Sequence, residues 1–136
     1  MKAAEIELSD GNTELKERTK KFGLRSLNLV AGLPNKMPAS VLGKQLIRSA
    51  TSVGANYRSA CRSRSRAEFA SKLGIVLEEV DESAYWLELI IESKIMAEAK
   101  CGPLLAEAKE LTAIFTTALT KLRATFTPTK RQLRRS

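Results

Sequence analysis

The chain has 136 residues, 43% of them hydrophobic, so it has the size of one domain and can bury a core without disulfide bonds or a structural metal. It contains 23 Lys and Arg against 15 Asp and Glu, and the formal charge of +8 favours polyanions, acidic proteins or anionic membranes as partners. It contains no histidine, which excludes Ser-His and Cys-His nucleophilic pairs and histidine-containing metal sites.

The cysteines and the apolar runs bear on the cellular compartment. Cys61 and Cys101 are far apart and lack the spacing of metal ligands, so we expect two reduced thiols in a cytoplasmic protein. Residues 1–12 are acidic and contain no apolar run, so no secretory signal is expected. Charged residues interrupt every longer apolar stretch, and no segment is therefore expected to span a membrane.

Glycine and proline divide the chain into four predicted helices, and the first two lie in its N-terminal half. Leu15, Phe22 and Leu29 recur at helical spacing and predict a helix from about residue 13 to 31, which is followed by a loop with two prolines. The second helix is predicted from Ser40, a plausible N-cap, to about Arg62. Its glycines, serines and alanines favour close packing on more than one side.

The third predicted helix has the clearest pattern. Ser65 and Glu68 have the spacing of a capping box, and an apolar stripe follows from Phe69 to Ile91. Phe69 and Trp86 are expected in the core. A second apolar set widens the stripe, so this helix should have more than one packing partner, and its surplus apolar surface favours a homo-oligomer. The members of that set are Ile75, Tyr85, Trp86, Leu89 and Ile90.

The fourth helix is predicted to open at Gly102-Pro103, where proline would occupy its favoured first turn, and to end before Pro128. The prediction is thus an all-α, antiparallel up-down four-helix bundle over residues 13–126, with a flexible N-terminus at 1–12. Residues 127–136 form a predicted disordered basic tail. Its cations, which suit either nucleic-acid binding or simple solvation, are Lys130, Arg131, Arg134 and Arg135.

Charge is sorted into blocks along the chain. Residues 18–67 contain eleven bases and no acid, whereas residues 68–98 contain eight acids and two bases. The basic block ends at the turn between the second and third predicted helices, where guanidinium groups could grip phosphates in a strongly salt-dependent way. The predicted nucleic-acid-binding residues are Arg58, Arg62, Arg64, Arg66 and Lys72.

A structural role for the bases is the competing interpretation. In an antiparallel hairpin centred near Arg64, Arg48 falls opposite Glu79 and Lys44 opposite the next turn, so both would form salt bridges within or between chains. The turn arginines have fewer acids within reach, chiefly Glu68, and they equally suit an external anion or a solvated or intersubunit position. Asn56 is expected to be a buried hydrogen-bonding residue.

The acids do not predict an active site. Glu78 and Glu82 are one helical turn apart, as are Glu88 and Glu92, but all lie on one predicted helix and none belongs to a Glu-x-x-His motif. Carboxylate pairs for acid–base catalysis need a cleft with two distinct environments, which nothing here predicts. We therefore predict that the protein is not an enzyme and binds neither a metal nor another cofactor.

The region between the second and third predicted helices resembles a known family. The runs RSATSVGANYRSACRSRSRAEF (48–69), KLGIVLEEVDE (72–82) and WLEL (86–89) resemble the bacterial four-helix-bundle protein family, also called the large-ribosomal-RNA intervening-sequence protein family. The resemblance extends loosely over residues 15–122. Many relatives have glutamate where this chain has Arg58, so the turn of this chain is more basic.

The resemblance implies a four-helix bundle assembled as a ring-shaped homopentamer. It also implies similarity to the accessory proteins of diversity-generating retroelements, which associate with a reverse transcriptase and bind nucleic acid through basic surfaces. The leading hypothesis is accordingly an oligomeric scaffold that binds RNA or DNA, in a retroelement or in a ribosomal RNA intervening sequence. The alternative hypothesis is a protein-interaction module or adaptor whose basic face binds an acidic protein.

Overall fold

The computed structural model describes residues 12–126, and over this range it contains four α-helices and no strand. They are α1 (Asn12–Ala31), α2 (Ala39–Ala60), α3 (Arg66–Glu92) and α4 (Glu98–Ala124). Each helix packs against the next, and α1 also packs against α4. This order of neighbours is the one expected of an up-down bundle, and the all-α prediction is confirmed. The predicted tail at 127–136 and most of the predicted N-terminal segment lie outside the described residues.

The apolar stripes of the four helices meet in one core, because residues spaced three and four apart share a helix face. Phe69 is buried as predicted, and Trp86 packs partly buried against the core. The second and third helices each have two packing partners, as their composition predicted. The largest fully buried side chains include Phe22, Leu46, Tyr57, Leu73, Leu87, Ile90, Leu111 and Phe115.

Specific contacts fix how neighbouring helices are aligned. Ser49 on α2 and Ser83 on α3 are both fully buried, and their hydroxyl oxygens lie 2.8 Å apart in a hydrogen bond across the seam. Tyr57 on α2 packs on Phe115 of α4 with ring centroids 5.4 Å apart. This contact joins a residue before the 61–65 connection to one after it, as expected of an antiparallel α2–α3 hairpin.

Two predicted helix starts were wrong. α2 begins at Ala39, because the Pro38 carbonyl accepts the first helical hydrogen bonds from Val41 and Leu42, and Ser40 is therefore inside the first turn instead of at the N-cap.

α4 begins at Glu98, where the Ala97 carbonyl accepts from Lys100 and Cys101. Pro103 thus lies inside α4. A single missing N–H is tolerated in a helix of 27 residues whose first turns pack on the core through Cys101 and Leu104.

The end of α3 turns the chain towards α4 through a left-handed residue. Lys94 has φ 61°, Ile95 donates its N–H to the Ile90 carbonyl, and Lys94 donates to Ile91, which together form a Schellman motif. Ile95 packs against the core beside this motif. The opposite end of α3, at residue 66, therefore lies at the far end of the bundle, and it carries the predicted basic turn.

Candidate nucleic-acid interface

The turn between α2 and α3 is short and held by backbone hydrogen bonds. Arg62 donates its N–H to the Ser59 carbonyl at 3.1 Å, and Ser63 donates to Ala60 at 3.0 Å, so the chain leaves α2 in tight turns. Ser65 is then extended (φ −149°, ψ 161°), and its hydroxyl accepts the Glu68 N–H at 3.1 Å. The predicted N-cap of the third helix is confirmed, and it fixes the direction in which α3 leaves the turn.

Four predicted contact residues are exposed on and around this turn. Arg62 and Arg64 lie in the connection, Arg66 is the first residue of α3, and Arg58 lies in the last turn of α2. None of the four guanidinium groups forms an ion pair with a carboxylate within residues 12–126. We call Arg62, Arg64 and Arg66 the basic turn. Its side chains are available to an external anion as far as the described part of the chain is concerned.

Glu68 is the acid closest to the basic turn in sequence, and it is already engaged. Its carboxylate accepts the backbone N–H of Arg64 at 2.9 Å and lies 3.1 Å from the Lys72 ammonium. The Arg64 N–H, followed by the Lys72 ammonium, lowers the pKa of Glu68 below its usual value. Lys72, the fifth predicted contact residue, is therefore paired within the chain, whereas the side chain of Arg64 is not held by this carboxylate.

A concavity of about 230 Å³ opens at the turn, between the end of α2 and the start of α3. Its wall includes Arg64 and Arg66 together with Ser63, whose hydroxyl oxygen is buried and has no hydrogen-bond partner among the described residues. The wall therefore combines cations and an unsatisfied donor.

Arg58 also lines a groove between α1 and α2, which has a volume of about 250 Å³. The helices come close here, since a Cβ atom at Gly54 would lie 3.4 Å from the backbone of Thr19 and Lys20. We call this the basic groove, and it is lined by Lys16, Thr19, Lys20, Gly23, Leu24, Leu27, Thr51, Gly54, Ala55 and Arg58. Sequence reasoning did not connect Lys16 and Lys20 with Arg58, although their i, i+4 spacing places both lysines on one face of α1.

The two bases predicted to pair with α3 have different surroundings. Arg48 donates to Glu79 at 3.5 Å and to Glu82, so the prediction of a salt bridge is confirmed and the bridge lies within one chain. The prediction for Lys44 was wrong as regards its own chain: it is exposed near the α1–α2 loop, beside Asn35 and Ile47, and pairs with no acid in residues 12–126. Lys44 lines a concavity formed by the end of α1, the α1–α2 loop and the first turns of α2. Asn56 is half-buried and donates to the Ser52 carbonyl at 2.8 Å.

The described part of the chain gives little support to a metal site, a reactive cysteine or a membrane-spanning helix. Within residues 12–126 there is no group of three His, Cys, Asp or Glu side chains arranged to hold a metal ion. Cys101 is buried, and burial raises the pKa of its thiol, which disfavours the reactive thiolate. Among the described helices, none is both long and apolar enough to cross a bilayer.

Comparison with known proteins gives a family and a structural neighbour. The 23S rRNA-intervening sequence protein family matches residues 12–117. A crystal structure of a protein of unknown function from the S23 ribosomal protein family of Bacteroides thetaiotaomicron is similar, with 33% identity and a TM-score of 0.74. The match covers 80% of this chain and 97% of that one. No functionally curated protein matches.

Proposed function

This chain belongs to the 23S rRNA-intervening sequence protein family, and on that premise we propose that it is a non-enzymatic scaffold that binds the phosphate backbone of nucleic acid. The proposed contacts are made by the basic turn, with Arg58 beside it. The resemblance implies an origin in ribosomal RNA intervening sequences or an association with a reverse transcriptase, and we propose RNA or DNA of that origin as the ligand.

One observation carries the proposal: the arginines of the basic turn are exposed and have no carboxylate partner in residues 12–126, although the chain supplies acids elsewhere on the same helix. Glu79 and Glu82 are committed to Arg48, and Glu68 is committed to Lys72 and the Arg64 N–H. These three acids of α3 therefore neutralise other groups and leave the turn positively charged.

The mode of binding follows from the side chains. Guanidinium groups present planar donors that match phosphate oxygens, and Arg64 and Arg66 line the wall of the concavity at the turn. The described turn presents no aromatic side chain to the solvent on which a base could stack. We therefore expect binding through the backbone, with little base specificity and a steep dependence on salt.

Assembly is the second part of the proposal. We propose that several copies associate, which would set several basic turns side by side and raise their joint affinity for a long polyanion. Five copies is the number that the family resemblance implies. The cations predicted at residues 130–135, outside the described residues, are proposed to assist.

Binding should be measured for single-stranded RNA and for duplex DNA over a series of salt concentrations. For Arg62→Ala combined with Arg64→Ala, we expect weaker binding and a less steep fall of log K with log salt. The magnitude of the slope should decrease by about 1.8 for duplex DNA and by about 1.4 for single-stranded RNA, because two phosphate contacts are lost. The matched control is Lys109→Ala with Lys121→Ala, which removes the same charge from exposed positions on α4.

The control distinguishes a local site from overall charge. Equal losses in the two double variants would assign binding to the net charge of the protein and contradict the basic turn. An affinity that does not respond to salt would contradict phosphate-backbone binding altogether. Recovery of one protein partner from nuclease-treated material, with no measurable affinity for RNA or DNA, would favour the alternative of an adaptor for an acidic protein.

A further inference from the structure

We infer that the basic groove of one copy binds the outward face of α3 of a second copy, so that the two contacting surfaces are different parts of the chain. The inference rests on the proposed self-association and identifies the surfaces that carry it. We call the α3 surface the acidic ridge and define it by Ile75, Glu78, Asp81 and Tyr85, all four of which are exposed.

The acidic ridge has the composition of a contact surface. Ile75 is 43% exposed and Tyr85 is 52% exposed, and Tyr85 is set against the Trp86 ring at a centroid distance of 5.2 Å, which holds it in place. Large aromatic side chains of this kind often dominate the energy of protein interfaces. Residues 73–92 contain six acids and no base, and neither Glu78 nor Asp81 forms an ion pair within residues 12–126. The ridge thus presents apolar side chains within a field of uncompensated negative charge.

The basic groove has the complementary composition, with exposed apolar side chains surrounded by positive charge. Leu24 is 53% exposed and Leu27 is 41% exposed, while Lys16 and Lys20 supply positive charge around them. The small side chains of Thr51 and Ala55 leave room for a bulky group, whereas Gly54 permits the close approach of α1 to α2. Exposed leucines contribute nothing to a phosphate backbone, whereas they would pack against Tyr85 and Ile75, and for this reason we assign the groove to protein.

The two surfaces cannot meet within one chain. α1 packs against α2 and α4, and α3 packs against the same two helices, so α1 and α3 occupy opposite corners of the bundle. The groove and the ridge can therefore contact each other only between copies, where their opposite charges are complementary. Contact between two different surfaces is heterologous, and it continues from copy to copy until a ring closes.

Charge reversal on each surface, separately and together, tests this pairing. The groove variant is Lys16→Glu with Lys20→Glu, and the ridge variant is Glu78→Lys with Asp81→Lys. Molar mass is measured by light scattering at micromolar concentration and low salt, and circular dichroism verifies that each variant is helical. The matched control, Lys109→Glu with Lys121→Glu, alters exposed residues of α4 by the same charge as the groove variant.

We expect wild type and the control to exceed the monomer mass of 15.0 kDa several-fold, and each single-surface variant to fall to it. The chain that carries all four reversals should reassemble, because its groove and ridge are again opposite in charge. As a second measure that leaves the charge unchanged, Tyr85→Ser should raise the concentration needed for assembly at least tenfold.

Three results would overturn the inference, and they separate its parts. A monomeric wild type would remove both the pairing and the proposed self-association, without bearing on nucleic-acid binding by the basic turn. A ridge variant that stays assembled would show that copies meet through other surfaces. A four-reversal chain that stays monomeric while folded would show that the groove and the ridge do not face each other.

Discussion

Arginines at the α1–α4 seam and at the α2–α3 turn have the same chemistry and opposite surroundings. Arg18 on α1 lies between two carboxylates of α4, with Glu107 at 2.7 Å and Glu110 at 3.1 Å, and only 26% of its side chain is exposed. The hydrogen bond that Arg18 donates to Glu107, more than any other contact, raises the pKa of Arg18, and in return Arg18 lowers the pKa of Glu107. The arginines of the basic turn have no such partner within residues 12–126.

The difference teaches that position in the fold decides whether a guanidinium holds the bundle together or stays available to a ligand. A seam brings acids of another helix within reach, and a turn at the end of the bundle projects its side chains away from them. Arg48 at the α2–α3 seam is an intermediate case, since it is paired with Glu79 and Glu82 but remains 49% exposed. Substitutions at these positions are therefore expected to differ mainly in their effect on the free energy of unfolding.

The largest effect is expected at the α1–α4 seam. Arg18→Ala should lower the free energy of unfolding by about 2 kcal/mol, because it leaves the Glu107 carboxylate, whose side chain is 15% exposed, without its bidentate partner. Arg62→Ala removes the same charge from an exposed turn and should change stability by less than about 0.5 kcal/mol. Urea unfolding monitored by circular dichroism measures both.

Comparable losses in the two variants would erase the distinction between seam and turn. The double variant Arg18→Ala with Glu107→Ala sharpens the test, since removing both partners should restore part of the stability that Arg18→Ala loses. Nucleic-acid binding should show the reverse order, with Arg18→Ala close to wild type and Arg62→Ala weakened.

Local patterns in the sequence were sufficient for the existence and approximate extent of the four helices and for the α2–α3 hairpin. Apolar spacing locates α1 and α3 because burial follows the helix period, and Ser65 with Glu68 marks the start of α3 because a cap needs only adjacent residues. The short 61–65 connection fixes the register, which is why the pairing of Arg48 with Glu79 could be predicted.

Contacts between distant helices could not be predicted in the same way. Arg18 and Glu107 are 89 positions apart, and no local pattern states which face of α1 meets α4. The same ambiguity concealed the proximity of Lys16 and Lys20 to Arg58 across the basic groove. The preference of proline for a first helical turn misplaced the start of α4 at Pro103. Packing extends the helix further towards its N-terminus, because Cys101 and Leu104 are buried in the core.

A smaller effect is expected from the serine that caps α3. Ser65→Ala removes the acceptor of the Glu68 N–H and should lower the free energy of unfolding by about 1 kcal/mol. Ser71→Ala, at an exposed position further along α3, is the matched control and should be neutral within about 0.5 kcal/mol.

Arg64→Ala extends this test, because the structural contact of Arg64 is made by its backbone N–H, which the variant keeps. Its stability should match the control, and its affinity for nucleic acid should fall. Loss of stability in Arg64→Ala equal to that in Ser65→Ala would mean that the arginine side chain supports the turn, contrary to the comparison with Arg18.

The smallest expected effect is the dependence of stability on pH. Its sign differs between Glu79 at the α2–α3 seam and Glu107 at the α1–α4 seam. Burial raises the pKa of Glu79, so the folded state binds its proton first and the stability attributable to this group increases as pH falls towards the usual carboxylate value. Arg18 lowers the pKa of Glu107, so the contribution of Glu107 is complete above the unfolded pKa, about 4.3, and is lost as pH falls below it.

Glutamine variants separate these two signs, because glutamine imitates a protonated carboxyl at every pH. At pH 7, Glu107→Gln should be less stable than wild type, and Glu79→Gln should be equal to it or more stable by up to about 0.5 kcal/mol. Both differences should shrink on acidification, that of Glu79→Gln before that of Glu107→Gln, since the raised pKa is reached first. Urea unfolding at half-unit intervals from pH 7 to 3 measures this, and a Glu79→Gln variant as unstable at pH 7 as Glu107→Gln would show that the Arg48 bridge outweighs the cost of burying Glu79.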